Sequence, residues 1–213
     1  EYHIDGEKKL TERNATIVYS GGDDVFIVGA WNEVIELSID LQEKFKKYTQ
    51  GTLSISSGIG IYECTYPIGA IANETGEMEA ESKRMPEKDS VTFMDDGETH
   101  LINELEICDG TYRWEELYKS VLGEKYDVIQ DFLGESDERG MSFLYRMLEL
   151  IRNQKEKINF ARFVYLLSRL EPDKEGEKKE KYRKFSRKMY QWVQSEKDCR
   201  ELKTAINLYA YMH

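Results

Sequence analysis

The sequence predicts an α+β chain in which a mixed sheet-and-helix part, residues 1–110, precedes an all-α helical bundle, residues 111–213. Three observations carry this reading. Between Ala15 and Met94, short runs of Val, Ile, Tyr and Phe alternate with stretches whose apolar residues recur every three or four positions, the periods of strand and helix. From Thr111 onward the helical period is nearly unbroken. The longest apolar runs are strand-length, well short of the roughly 18 to 20 residues that span a bilayer, so no membrane partner is expected.

Residues 15–19 and 25–28 read as two strands around Gly21 and Gly22, and their near-continuous apolar character predicts burial on both faces. Asn32 is the expected N-cap of a helix in which Val34, Leu37, Leu41, Phe45 and Tyr48 share one side, with Glu36, Glu43, Lys46 and Lys47 on the other. Gly51 ends it, and residues 52–62 return as a strand whose small side chains permit close approach of a backbone or ligand. Pro67 suits the first turn of a second helix, with Ile68, Ile71, Ala72 and Met78 inward and an end near Arg84. Residues 91–94 form a further strand, closed by the turn Asp95-Asp96-Gly97. In the second part, apolar stripes lie at Trp114, Leu117, Tyr118, Val121 and Leu122; at Phe143, Leu144, Met147, Leu148 and Ile151; and at Phe160, Phe163, Val164, Leu167 and Leu170. Beyond the charged connector EPDKEGEKKEKYRK come Phe185, Met189, Trp192 and Val193, then Leu202, Ala205, Ile206, Leu208 and Tyr209. Stripes of this kind are bundle core.

With 41 acidic against 30 basic side chains the formal charge is −11, which opposes non-specific attraction to free nucleic acid but leaves room for a local basic groove. Cys64, Cys108 and Cys199 are far apart and show no C-x-x-C spacing, so neither a zinc knuckle nor a disulfide framework is expected, and a reduced cytoplasmic setting fits. The start EYHIDGEKKL lacks the order of a signal peptide, and its first residue is not Met, which suggests a fragment.

The segment with most chemistry in it is IVYSGGDDVFIVG. Gly21 and Gly22 accept positive φ and leave the backbone bare for a phosphate chain. Asp23 and Asp24 follow, their side chains on opposite faces if the strand is regular. Two adjacent carboxylates repel unless a cation lies between them, and Mg²⁺ takes oxygen ligands while keeping substrate phosphate in its shell. The same four residues are also an acceptable hydrophilic turn.

Together, VYSGGDDVFIVGAWNEV, SISSGIGIYECTYPI and ESKRMPEKDSVTFM resemble the second palm domain of the large subunit of type III CRISPR interference complexes, a nucleotidyl-cyclase-like domain also similar to the GGDEF domains of diguanylate cyclases. INFARFVYLLSRL and RELKTAINLYAYM resemble the closing helices of the subtype III-A form. The resemblance implies a palm/nucleotidyl-cyclase (ferredoxin-like) domain lacking its first strand, followed by the helical domain. It implies synthesis of cyclic oligoadenylate from ATP with Mg²⁺ or Mn²⁺ when target RNA is bound. Asp23 and Asp24 would be the metal ligands, Gly21 and Gly22 would admit phosphates, and Ser20 would contact nucleotide or orient the turn. Lys88, and after it Lys83, would meet triphosphate oxygens. Ser56 and Gly58 stand in the family's Ser-x-Gly strand, where they let a base or ribose approach or simply pack under a helix. The implied partners are the other subunits of the type III-A complex, with guide and target RNA reached through them; Lys178, Lys179, Lys181, Arg183, Lys184 and Arg187 are candidate contacts, or a solvated connector.

The departures matter too. The strand that usually carries a further metal-binding aspartate is missing, and Asp5 reads as a turn residue rather than its replacement. No His-Asp dipeptide accompanies the three histidines, His3, His100 and His213, so the family's nuclease domain is absent. The expectation is half of a cyclase site, inactive alone. Two other readings stay open: a nucleotide-binding docking module without turnover, and a diguanylate-cyclase relative, the latter disfavoured by Asp-Asp where those enzymes end the motif in Glu-Phe.

Overall fold

The structure, a computed structural model, describes residue 4 and residues 13–94, 97–134, 139–152 and 157–212. Its chain falls into two compact units, Glu1–Tyr118 and Lys119–His213. Asp5, His3, His213 and the Asp95-Asp96 pair of the expected turn lie outside the described residues.

In the first unit, β1 (Ala15–Gly21) and β2 (Asp24–Gly29) pair antiparallel, Gly21 opposite Asp24, with an irregularity between Ile17 and Tyr19. They form a sheet of their own. The expected burial on both faces does not occur: Ile17 is 62% exposed and Val18, Tyr19 and Val25 are at least half exposed. The physical reason is that no described third strand joins this ladder, and only the inner residues Phe26, Ile27 and Val28 of β2 are partly covered. Helix α1 (Trp31–Tyr48) packs against β2 and begins one residue before Asn32, with Ala30 at the N-cap and no side-chain cap bond. Its buried face is Ile35 and Ile39 together with Glu36, Asp40 and Gln42, whereas Leu41 and Tyr48 are exposed. Partners make that polar burial tolerable. Glu36 accepts the Ile4 N–H at 2.9 Å, Asp40 pairs with Arg13, and the Gln42 amide donates to Asp89 at 3.0 Å.

The central sheet has the order β3 (Ser57–Ile59), β4 (Ser90–Phe93), β7 (Thr111–Arg113), with β3 and β4 parallel and β7 antiparallel to β4. Only three of the eleven residues expected to be strand at 52–62 are so. All of β4 is buried, and the Thr92 and Thr111 hydroxyls meet at 2.9 Å across the ladder. Helix α2 (Ile68–Ser82), with Pro67 at its N-cap, lies on this sheet. Thr111–Arg113 reads as the head of the helical half in the sequence and is a strand because its backbone completes the β4 ladder. The hairpin β5 (Thr99–Ile102) and β6 (Leu105–Cys108) carries no Asn-Gly or Asp-Gly signal; its turn residues Asn103 and Glu104 take positive φ, 49° and 67°, without a glycine.

The chain then winds as α3 (Trp114–Glu116), a π-helical stretch over Leu117–Tyr126, and α4 (Asp127–Leu133). The second unit continues with α5 (Arg139–Arg152), α6 (Lys157–Ser168), α7 (Glu177–Trp192) and α8 (Glu196–Met212). Here the sequence stripes are the core: Leu144, Met147, Met189, Leu202, Ala205, Ile206 and Leu208 are fully buried. Val164 departs from its stripe and is exposed. Inside this core Lys125 is 2% exposed, 2.8 Å from Asp198, paired with Glu201, and 5.3 Å from the centre of the Trp192 ring. Burial pushes its pKa down, but the bonds to Asp198 and Glu201 more than offset this and the net shift is upward. Among the described residues no helix is long and apolar enough to cross a membrane.

Candidate functional site

The Gly-Gly-Asp-Asp segment is the tip of the β1–β2 hairpin. Gly22 has φ +64° with open space where a Cβ would stand, so it is glycine for its backbone rather than for packing. At Gly21 a Cβ would come 2.5 Å from the Tyr19 hydroxyl, because the Tyr19 side chain folds back across it. Asp23 occupies the turn itself and Asp24 opens β2, so the two carboxylates do not stand on opposite faces of one regular strand; both are exposed. Asp24 pairs with Gly21, and Ser20 pairs with Val25 one step further along, on the alternate face.

Of the two lysines singled out from the sequence, Lys83 feels the charge of both aspartates. It forms an ion pair with Glu79 on α2, and its pKa is raised first by that bond, with partial burial opposing, and then by the fields of Glu79, Asp24 and Asp23. Lys88 is exposed at φ +56°, and its carbonyl accepts the hydroxyls of Ser56 at 3.1 Å and Ser90 at 2.8 Å. Ser56 and Lys88 therefore meet through a backbone carbonyl. Gly58 faces α2, where a Cβ would lie 2.2 Å from the Thr75 carbonyl oxygen. Close helix packing accounts for this glycine.

Nearby, the Tyr62 and Tyr66 rings stack with centroids 5.3 Å apart, and the Tyr66 hydroxyl donates to Glu74. Burial, followed by the charge of Glu74, pushes the Tyr62 phenol up to about 12. Glu74 is one of four acidic residues in α2, with Glu77, Glu79 and Glu81, and the run Tyr62 to Tyr66 has no periodic signal that pairs the rings.

The arrangement is suited to a hard cation shared with a polyanion. Two adjacent, exposed oxygen ligands project from a bare glycine turn, and Mg²⁺ bound with nucleotide uses one or two protein carboxylates plus phosphate oxygens. Among the described residues no group of three or more His, Cys, Asp or Glu is placed to hold a metal. The α7 cations are largely engaged within the second unit: Lys179 with Glu171 and Glu175, Lys181 with Glu177, Arg183 with Glu175 and Glu180, and Lys184 with Asp131.

Known proteins resemble both parts of the chain. Residues 2–92 match the family described as Cas10/Cmr2, second palm domain, and residues 130–213 match the second helical domain of the CRISPR RNA silencing complex Cmr2 subunit. A protein of Mycobacterium tuberculosis named CRISPR system single-strand-specific deoxyribonuclease Cas10/Csm1 (subtype III-A) is 40% identical over 98% of this chain and 24% of its own length. Its namesake from Streptococcus thermophilus is 34% identical over 94% of this chain and 25% of its own. Among solved structures, Csm1 in T. onnurineus superposes with a TM-score of 0.61 at 27% identity, covering 74% of this chain and 22% of that one. A Csm1-Csm4 cassette in complex with one ATP gives 0.58 at 26% identity, covering 91% and 27%. The chain spans about a quarter of the length of these relatives.

Proposed function

The chain belongs to the Cas10/Csm1 family of subtype III-A CRISPR effector subunits, and we propose that its glycine-aspartate hairpin is the acidic half of a nucleotidyltransferase site that makes cyclic oligoadenylate from ATP. The observation that carries the reading is the hairpin tip: Gly22 at positive φ with nothing beside it, and Asp23 and Asp24 exposed, with Lys83 at the C-cap of α2 in their field. The neighbour bound to one ATP supports nucleotide as the ligand. In the reaction a 3′-hydroxyl loses its proton and bonds to the α-phosphorus of a second ATP while the bond to the β-phosphate breaks and pyrophosphate leaves. Asp23 and Asp24 would hold Mg²⁺ or Mn²⁺, which when bound supplies the charge that neutralises the phosphates. The turn leaves room for the triphosphate against Gly22, while at Gly21 the Tyr19 side chain would first have to swing aside; Ser20 orients the turn, and Lys83 offers a cation to the phosphate oxygens in exchange for Glu79. Lys88 and Ser56, joined through the Lys88 carbonyl, hold the loop before β4.

We assign the nucleotide chemistry to residues 1–110 and contacts with other type III-A subunits, and through them with guide and target RNA, to the helical residues 111–213, in a cytoplasmic complex. The deoxyribonuclease named in the relatives is a property of proteins four times as long, and we do not place it on this quarter. A docking module that binds nucleotide without turnover is the second reading, favoured by the absence of a three-ligand acidic group among the described residues.

The test is product formation from labelled ATP with Mg²⁺ or Mn²⁺, using the full-length subunit in its RNA-bound complex, with and without Asp23→Ala plus Asp24→Ala. The expected outcome is a loss of at least about a hundredfold, the scale on which electrostatic groups at a transition state act, while RNA binding persists. Undiminished product from the double variant places the chemistry elsewhere; nucleotide binding with no product from the unaltered complex favours the docking module.

A further inference from the structure

The cations of the helical unit fall into two sets that differ in what they face. On α7, Lys179, Lys181, Arg183 and Lys184 are tied to acidic neighbours, as described above. Residues 139–170 are different: they hold seven basic side chains against two acidic ones, inside a chain of net charge −11. Helix α6 buries Phe163 and Leu167, and its other side carries Ile158, Arg162, Tyr165 and Arg169 at spacings of four, three and four residues, one continuous helical stripe. Among the described residues this stripe is open to solvent. Tyr165 is 65% exposed and Ile158 is 56% exposed. Arg162 reaches only the Asn159 side-chain oxygen, at 3.3 Å, and Arg169 has no ion-pair partner among the described residues. Helix α5 packs beside α6 and adds exposed Tyr145, with Arg146 next to it likewise without an ion pair among the described residues.

We propose that the α5–α6 face is a docking surface for single-stranded RNA, with Tyr165 and Tyr145 as stacking platforms and Arg146, Arg162 and Arg169 as phosphate contacts. Three features select this occupant. Unpaired arginines in an acidic chain call for an anion. Their interleaving with exposed aromatic rings suits a polyanion that also offers flat apolar faces, which single strands do and duplexes do not. Arginines held away from carboxylates keep their planar donors free for phosphate. The inference rests on reading the chain as part of an RNA-bearing complex, but it does not depend on the hairpin being catalytic.

The experiment is fluorescence anisotropy with a labelled 20-nucleotide RNA of mixed sequence, titrated with the 213-residue chain at several salt concentrations. Arms with DNA of the same sequence and with duplex RNA define what is read. The single-stranded RNA is expected to bind more tightly than the duplex. Arg146→Gln, Arg162→Gln and Arg169→Gln together should weaken binding at least tenfold and lower the salt slope by about two, near 0.7 for each phosphate that is no longer neutralised. Tyr165→Ala should weaken it roughly fivefold or more and Tyr165→Phe should restore it, since stacking needs the ring and not the hydroxyl. Lys179→Gln with Arg183→Gln on α7, cations already held by carboxylates, should change affinity less than twofold. Circular dichroism and melting verify that each variant is folded. No binding by the unaltered chain, equal binding by the triple arginine variant, or a stripe whose removal alters only self-association in sedimentation would each overturn the proposal.

Discussion

The two units treat their apolar residues in opposite ways. In the hairpin of the first unit, Ile17, Val18, Tyr19 and Val25 lie in the open on a two-stranded sheet, whereas in the second unit Leu144, Met147, Leu202 and Ile206 are fully buried. The second unit even encloses a cation, Lys125, and supplies Asp198 and Glu201 to meet it. A lone two-stranded ladder gains little from its own burial, while helical stripes that find one another form a complete core. The proposed half-site thus falls on the less self-sufficient element, while the larger apolar core lies in the helices.

The largest effect that sharpens this contrast is expected inside the helical unit. Lys125→Met removes the buried cation that meets Asp198 and Glu201 and should cost about 3–5 kcal/mol, read by urea unfolding. Leu144→Ala should cost about 2–5 kcal/mol by opening a cavity in the same core. Alkaline pH acts on this unit next. Burial, and after it the charge of Asp198, pushes the Cys199 thiol up from 9.0 to about 12, and Lys125 is raised as well. Both folded-state pKa values lie above their unfolded ones, so their contribution is complete below about pH 9 and is lost as pH rises toward 12. A urea midpoint that falls over that interval, together with a thiol reagent that labels exposed Cys64 at about pH 8 but spares Cys199 until unfolding, is the expected pair of results. The smallest effect belongs to the hairpin: Ile17→Thr should shift stability by no more than about 0.5 kcal/mol. A loss of several kcal/mol there would break the comparison.

The same contrast explains what the sequence disclosed. Phe143 to Ile151 and Leu202 to Tyr209 bury as their spacing predicts because a helical stripe encodes its own buried face. In α1 the spacing misleads: Tyr48 is exposed, while Asp40 and Gln42 are buried by partners, Arg13 and Asp89, that lie 27 and 47 positions away. No local pattern reports a partner at that distance. The β5–β6 hairpin hides for a related reason, since Asn103 and Glu104 take positive φ with no glycine to announce it. At the site, the turn at Gly22 was legible from residue chemistry alone, and so were its two carboxylates. That Lys83 shares their field, and that Gly58 serves the approach of α2, are facts of tertiary packing.

The central claim is that Asp23 and Asp24 hold a divalent cation together with nucleotide. Electron paramagnetic resonance of Mn²⁺, titrated into the full-length subunit in its complex with ATP present, measures it most directly. The account predicts bound Mn²⁺ that is lost in Asp23→Asn plus Asp24→Asn while the melting temperature is unchanged. The same number of ions at the same affinity in both proteins would contradict it.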